Sequence, residues 1–590
     1  MTVFRRPLAL AGALVAAKLA VLGLRALDHT SGPRLLARPG ALFAEDAALV
    51  AVALGLELVT RRATSRIATR LKDALFWAVV VYTAFNVAIA RTLGTPLTFA
   101  LVRAAGTTLA DSLRRYVTPT NTLGVAVVIG AAILGARLAP RLRPRAVAAF
   151  ALALVTLGLL TREAAAESLG LHRNAVVTLA RTAFQHHRGA APAPSDLPPL
   201  APSGRATDLA HLAGAGRGKS VVHVVLESTG ARYLQPWGAT GLDPMPRLSE
   251  LARGAVLFDR AYAVHPESIK GMMAYLCAQA PAMDTDADHY AKLGGAALPA
   301  LLARHGYHTA LFHSGRFAYL GMRHLVDHRG FDTLADAAVV GGPYERSFGV
   351  DDRSTVDRAL AWIDGHHDRP FYLVYMPIGG HHPYQAPGVG KRPFGEASDF
   401  DAYRSDLFQS DEALGALIDG LSARGLADDV VWVVHGDHGE AFQQHDGNVA
   451  HSLHVFEENL HVPLLVRIPK ALEAPVHALQ TASLLDVPRT IAAVLGVPAD
   501  PRWDGGSLLE GTPRVARAFV DHVSRELAVI DGPWKAIVDL DRATVRLFRL
   551  DLDPGELHDL AKSDPARAAR YRVHVEAWAA RERARVLGAR

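Results

Sequence analysis

Three short stretches of this 590-residue chain carry side chains that could do chemistry together. Glu227 follows the apolar run Val221-Val222-His223-Val224-Val225-Leu226. His435-Gly436-Asp437-His438-Gly439-Glu440 follows Val430-Val431-Trp432-Val433-Val434. Carboxylates with one or two imidazoles suit Mn²⁺, Mg²⁺, Ca²⁺ or Zn²⁺. Asp-His-Gly taken alone is equally good turn chemistry. The third stretch runs from Ala261 to Met272, where Ser268 stands at the passage from a loop containing Pro266 into an apolar helix. A serine there can simply be an N-cap. Beside a divalent cation it could also ionise and attack phosphorus, with helix amides holding the phosphate. Spacing alone leaves both readings open.

The elements around these residues predict how they are positioned. Thr309-Ala310-Leu311-Phe312 and Phe371-Tyr372-Leu373-Val374-Tyr375 repeat the buried-strand form of 221–226 and 430–434. Helix-like segments lie between them at 246–253, 296–305, 353–364 and 406–423. Strands alternating with helices imply an α/β domain with a mostly parallel central sheet covered on both faces. Ligands in such sheets gather at the carboxyl ends of the strands. Residues immediately after each strand are therefore the candidates.

The N-terminal third reads differently. Up to Arg162 there are 20 Lys and Arg against 6 Asp and Glu, and the remainder holds 43 against 52. Of the 27 histidines, only His29 lies in the first part. Half the chain is hydrophobic and 21% is charged, which excludes a disordered chain. The single Cys277 excludes internal disulfides and cysteine-based zinc sites.

Apolar stretches at about 7–27, 43–60, 74–92, 122–140 and 145–161 predict an α-helical membrane bundle of about five spans. The basic residues at 5–6, 61–72 and 141–145 are expected on the cytoplasmic side, which places everything after Arg162 outside the cell membrane. Glu45, Asp46 and Glu57 are expected at interfaces. The expected organisation is a transmembrane domain over 1–162, a connection over 163–218 and a catalytic domain over 219–590. Within the connection, 170–188 is expected as an amphipathic surface helix or a linker helix, and Ala190–Ser203 as an extended linker.

Several motifs together resemble the sulfatase-like branch of the alkaline phosphatase superfamily. They are Gly436-Asp437-His438-Gly439-Glu440, Phe456-Glu457-Glu458, Val462-Pro463-Leu464-Leu465, His381-His382-Pro383-Tyr384, Asp504-Gly505-Gly506-Ser507-Leu508, Trp534-Lys535, Leu547-Phe548-Arg549-Leu550 and Asp553-Pro554-Gly555-Glu556. They run in family order over about 220–580. Apolar spans followed by such a domain resemble lipoteichoic acid synthases and the phosphoethanolamine transferases of bacterial envelopes. Thr309 to Gly315 leans towards the former.

The resemblance implies a divalent metal (Mn, Mg, Zn or Ca) held by Glu227, Asp437 and His438 with the nucleophile Ser268. Sulfatase nucleophiles follow the tyrosine of an A-Y-A-like stretch by six residues and precede a proline by thirteen, and Tyr262 and Pro281 both place that position at Ser268. A three-residue shift would choose His265. Sulfatases also need Pro at +2 and Arg at +4 for conversion to formylglycine, whereas Lys270 and Met272 stand there. Ser268 is thus expected to stay a serine, as in the phosphotransferase branch. His381 matches a histidine that contacts substrate or leaving group. Lys270, Arg316, His445, His451 and His454 are candidate substrate or phosphate contacts, and one or two of the last three could serve a second metal. His223, inside a strand, reads as structural.

The implied activity is transfer of a phospholipid headgroup phosphate, of phosphoglycerol or phosphoethanolamine type, to an envelope glycan or lipid acceptor through a phosphoseryl intermediate. The alternatives are a membrane-bound hydrolase of phosphate or sulfate esters and a non-catalytic membrane sensor. No nucleic-acid partner is expected.

Overall fold

The computed structural model describes residues 2–27, 39–60, 65–93, 96–99, 117–139, 171–185 and 197–588, with isolated residues between these segments; residue 4 and 286, 292, 294–296, 347, 389 and 522–523 fall outside the description. The chain divides into two compact units, Met1–Arg188 with His445–Val449, and Gly189–Gln444 with Ala450–Arg590.

The first unit is helical, with α1 (Arg5–Leu27), α2 (Pro39–Thr60), α3 (Arg66–Leu93), α4 (Pro119–Leu138) and α5 (Ala175–Gln185). Among the described residues, three helical segments, Arg5–Arg25, Arg66–Arg91 and Pro119–Leu138, are long and apolar enough to cross a membrane. They account for three of the five expected spans. The stretch at 43–60 does form α2, but Glu45, Asp46 and Glu57 interrupt its apolar run. The stretch at 145–161 lies largely outside the described residues.

The acidic residues of α2 are paired. Asp46 Oδ2 lies 2.5 Å from Lys18 Nζ, both side chains being buried. Asn174 donates through its backbone N–H to Glu45 and through its side chain to Asp46, each at 2.6 Å. The Asn174 side-chain oxygen in turn accepts from the amides of Val176 and Val177, which starts α5. The helix expected over 170–188 therefore starts at Ala175, and Thr182 on it accepts from the Phe99 amide at 2.9 Å.

The second unit is α/β. Its main sheet has nine strands. They are β1 (Ser220–Leu226), β2 (Val256–Tyr262), β3 (His308–His313), β4 (Thr333–Ala335), β5 (Phe371–Met376), β6 (Val430–Gly436), β7 (His461–Val462), β8 (Leu464–Arg467) and β9 (Val476–Ser483). β6, β1, β5, β3 and β4 are neighbours in that order and all parallel. β8 runs antiparallel between β6 and β2, and β9 is parallel to β2 on its other edge. The sheet is thus mixed but mostly parallel, and β1 sits at its centre.

Alternation explains why β1 can be apolar throughout. Val221 and Val225 enter one core cluster, while Val222, Val224 and Leu226 enter the cluster on the other face. His223 is fully buried in that strand, 2.8 Å from the Tyr372 hydroxyl and 2.8 Å from His435 Nε2, as a structural residue would be. Each expected helix is present, at Pro246–Ala252, Leu298–Arg304, Asp352–Asp364 and Asp399–Ala423. The last begins seven residues earlier than its apolar pattern, because the Ser398 side chain caps it by accepting from the Asp401 amide.

A second sheet was not foreseen as a separate element. Residues Val515–Val520, Glu526–Asp531, Trp534–Asp539 and Thr544–Arg549 form a four-stranded antiparallel meander, β10 to β13. The C-terminal helix Pro565–Gly588 buries Tyr571, Val575 and Trp578 in the same apolar core as this sheet.

Candidate active site

The register of β1 and β6 builds the site. Leu226 pairs with Gly436, so the next residues, Glu227 and Asp437, leave the sheet side by side. The Asp437 amide donates to the Leu226 carbonyl at 3.0 Å and fixes the turn. Backbone crowding explains the glycines here. A Cβ on Gly436 would lie 2.3 Å from the Thr229 carbonyl oxygen, and one on Gly439 would lie 2.2 Å from that of Glu458.

Ser268 is the first residue of α6 (Ser268–Cys277), and the N-cap position before it belongs to Glu267. Its hydroxyl therefore does not cap the helix. It donates to Glu227 Oε2 at 3.1 Å and lies 3.4 Å from His438 Nε2. Asp437 Oδ1 accepts from the amides of Ser228, at 2.9 Å, and His438, at 2.8 Å. The Ser228 hydroxyl donates to Glu227 Oε1 at 2.8 Å.

This cluster fits a cation. One ligand atom each from Glu227, Asp437 and His438 lies within 4.8 Å of the others, and all three residues are buried. Asp437 Oδ2 is buried and accepts no hydrogen bond. Burial, and then the neighbouring Asp437, push the Glu227 carboxyl well above the ordinary carboxylate range. Two buried carboxylates that repel each other, one with an unused oxygen, form a site whose electrostatics a divalent ion would reverse.

Other histidines surround the trio. His381, just after β5, lies 4.3 Å from Phe348 between ring centres with the ring planes tilted by 42°, and its Nδ1 lies 2.5 Å from the His382 carbonyl. Burial lowers its pKa, while the Glu440 and Asp437 charges oppose that shift. His451 lies against His438 with ring centres 4.1 Å apart, and its Nδ1 is 2.7 Å from Glu440 Oε2. Glu440 is fully buried, and burial raises its carboxyl to about 7. His438, Glu440 and His451 form a second group with metal-ligand geometry.

Three of the remaining predicted contacts pair with carboxylates. The buried Lys270 ammonium is held by Asp521 at 2.6 Å, since a buried cation needs a counter-charge. Arg316 pairs with Glu345. His454 is drawn to Glu526 on β11 at 3.0 Å. His445 falls in the segment grouped with the helical unit. His265 is fully buried, 3.0 Å from Asp521, so Ser268 and not His265 stands at the carboxylates.

Two residues near the site had no role assigned from sequence. Glu440 is the last residue of the Gly436–Glu440 motif, and only the fold shows its carboxylate receiving both His451 and the Tyr384 hydroxyl. His313 is the final residue of β3, inside the strand and not after it. Burial lowers it to about 4, and it feels the charges of His381 and Asp437.

The arrangement can support nucleophilic substitution at phosphorus or sulfur. A hydroxyl at a helix N-terminus is hydrogen-bonded to a carboxylate of a cation-binding trio, and imidazoles stand nearby.

Comparison with known proteins agrees with this geometry. Residues 219–497 match the family described as Sulfatase. Arylsulfatase K of Mus musculus is 23% identical over 348 residues, covering 45% of this chain and 62% of that protein. Lipoteichoic acid synthase 2 of Bacillus subtilis (strain 168) is 23% identical over 359 residues, covering 56% of this chain and 54% of that protein. The chain thus spans less than two thirds of the length of these curated relatives. Among solved structures, the lipoteichoic acid synthase LtaP from Listeria monocytogenes superposes with a TM-score of 0.53 at 18% identity, covering 64% of this chain and 94% of that one. Residues 219–497 therefore match the sulfatase family, and the second unit shares its fold with the LtaP structure.

Proposed function

We propose that this chain is a metal-dependent, membrane-anchored phosphotransferase that moves a phospholipid headgroup phosphate to an envelope acceptor through a phosphoseryl intermediate. The observation that carries the reading is the Ser268 hydroxyl, 3.1 Å from Glu227 within the Glu227–Asp437–His438 trio. Ser268 lacks the Pro and Arg that formylglycine formation requires, and three apolar helices offer a way to meet a lipid donor at its bilayer.

A divalent cation held by Glu227, Asp437 and His438 would lower the pKa of the serine and neutralise charge on the phosphoryl oxygens. The proton that Ser268 now donates to Glu227 is released to solvent before attack, and Ser268 Oγ takes one up again when the acceptor displaces it. Ser268 Oγ then forms a bond to phosphorus as the bond from phosphorus to the diacylglycerol oxygen breaks. The amides of the first turn of α6 help to hold the resulting phosphoserine. His381 protonates the departing diacylglycerol oxygen and afterwards takes the proton of the acceptor hydroxyl that displaces Ser268.

Mass spectrometry of the Ser268 peptide after incubation with phosphatidylglycerol or phosphatidylethanolamine tests the proposal, because the added mass names the transferred group. Ser268→Ala should remove the adduct and lower turnover at least about a thousandfold. A variant that keeps full turnover would end this reading.

The second reading is hydrolysis, with water in place of the acceptor; the arylsulfatase relatives favour it. Product analysis with and without a polyol or glycan acceptor separates the two.

A further inference from the structure

We propose that Asp352 is a positioning residue: its carboxylate holds the turn Ile378–His381 and so sets His381 where it can protonate the departing oxygen. This role presupposes the acid function of His381 proposed above and adds the group that fixes it in place. Asp352 is the first residue of the helix Asp352–Asp364, yet it does not cap that helix. The cap is Asp351, whose Oδ1 accepts from the Ser354 amide at 2.8 Å. Asp352 accepts instead from the amides of the turn that follows β5, Ile378 at 2.8 Å and Gly379 at 3.2 Å, and from the Ser410 hydroxyl.

The Asp352 side chain is buried, at 7% exposure, and among the described residues no cation pairs with it. A buried carboxylate without a counter-charge is costly unless N–H and O–H donors complete it. Two of those donors belong to the turn that ends in His381, so the carboxylate is fully satisfied only when that turn is in place. The turn has little freedom of its own. The His381 amide donates to the Ile378 carbonyl at 3.1 Å, and Gly380 has φ +97°. A Cβ on Gly379 would lie 2.1 Å from Ser410 Oγ, and one on Gly380 would lie 2.7 Å from the carbonyl oxygen of Glu227. These glycines let the turn lie directly against the backbone of a residue of the cation-binding trio, and Asp352 anchors it there by two amides. A shift of about 1 Å at a reacting group can cost ~10²-fold in rate.

Leaving groups separate this positioning role from a merely structural one. The diacylglycerol oxygen needs a proton as it departs, whereas 4-nitrophenolate leaves as a stable anion and needs none. The full chain in detergent, with the divalent metal that supports turnover, is mixed with phosphatidylglycerol or with glycerol 4-nitrophenyl phosphate. The single-turnover rate of adduct formation on Ser268 is followed by mass spectrometry. Asp352→Asn should slow the lipid donor about a hundredfold and the nitrophenyl donor less than about threefold. Ser410→Ala, which removes one donor to the carboxylate, should show the same selectivity with a loss of about tenfold, and it decides the matter if the Asp352 variant does not fold. His381→Ala is the reference and should spare the nitrophenyl donor in the same way. If His381→Ala is selective but the Asp352 and Ser410 variants slow both donors equally, or neither, the positioning role is overturned and the proposed reaction stands. If His381→Ala slows both donors equally, the acid function itself fails, and the positioning role with it.

Discussion

Replacing Glu227 by Gln should make the metal-free protein more stable and the metal-loaded protein less stable. The magnitude follows from the geometry. Ligand oxygens of Glu227 and Asp437 lie within 4.8 Å of each other. Where both are ionised, above about pH 8, two unit charges at that separation repel by about 3.5 kcal/mol at an effective dielectric constant of 20, and at neutral pH the same crowding is met as the cost of keeping Glu227 protonated. Gln removes the repulsion, but its amide nitrogen cannot accept from either Ser228 or Ser268, and one lost hydrogen bond costs about 1–1.5 kcal/mol. The net gain without metal is about 2 kcal/mol, a rise of several degrees in Tm. With metal at a hundred times its Kd, the wild type gains about 2.7 kcal/mol, and a variant whose affinity has fallen a hundredfold gains only about 0.4 kcal/mol. Thermal unfolding of the solubilised full chain in chelator and in excess Mn²⁺, Mg²⁺ or Zn²⁺ should therefore give curves whose order reverses. A variant less stable than wild type in both conditions would refute the reasoning, because the two carboxylates would then not be a repelling pair awaiting a cation.

Other expectations follow from the same structure. Gly439→Ala places a methyl group against the Glu458 carbonyl at 2.2 Å, so backbone must shift; a loss of about 3 kcal/mol in chemical unfolding is expected. Lys270→Met strands the Asp521 carboxylate in a buried pocket and should cost about 3 kcal/mol, most of it restored by Asp521→Asn in the double variant. If the double variant stays as unstable as the single one, Lys270 does not act as the counter-charge of Asp521. Glu526 is fully buried; burial opposes its ionisation, but His454 and then Arg546 hold its carboxyl down at about 2 against an ordinary 4.5. Its folded value is the lower, so its stabilisation of about 3 kcal/mol is present above pH ~4.5 and lost as the pH falls towards 2. Glu526→Gln should be less stable at neutral pH and show a flatter acid limb in unfolding followed by circular dichroism.

Much of the site was legible because its residues sit where the local pattern changes. Glu227 and Asp437 directly follow runs of β-branched residues, and strand ends are where a parallel sheet presents side chains. The four strands recognised as apolar runs are all present, since burial on both faces leaves no polar alternation to mislead. The antiparallel meander was harder to see. Its strands carry charged residues such as Lys535, whose ammonium is buried against Glu457 and Glu556, and a buried ion pair is invisible until both partners are in place. The surroundings of the candidate phosphate contacts were hidden for the same reason. Lys270, Arg316 and His454 each have a carboxylate partner distant in sequence.

What the sequence determined by itself was a set of local facts. It held apolar stretches in the first third, an α/β alternation after residue 220, and the ordered motifs of a sulfatase-like domain. These depend on period, composition and spacing, which the chain carries without folding. Only the tertiary structure decided that the Ser268 hydroxyl turns to Glu227 and leaves the helix uncapped, and that Glu440 receives His451 and Tyr384. Each of these is a contact between residues distant in sequence. Such contacts exist only once loop closure and burial have brought the groups into the same low-dielectric space.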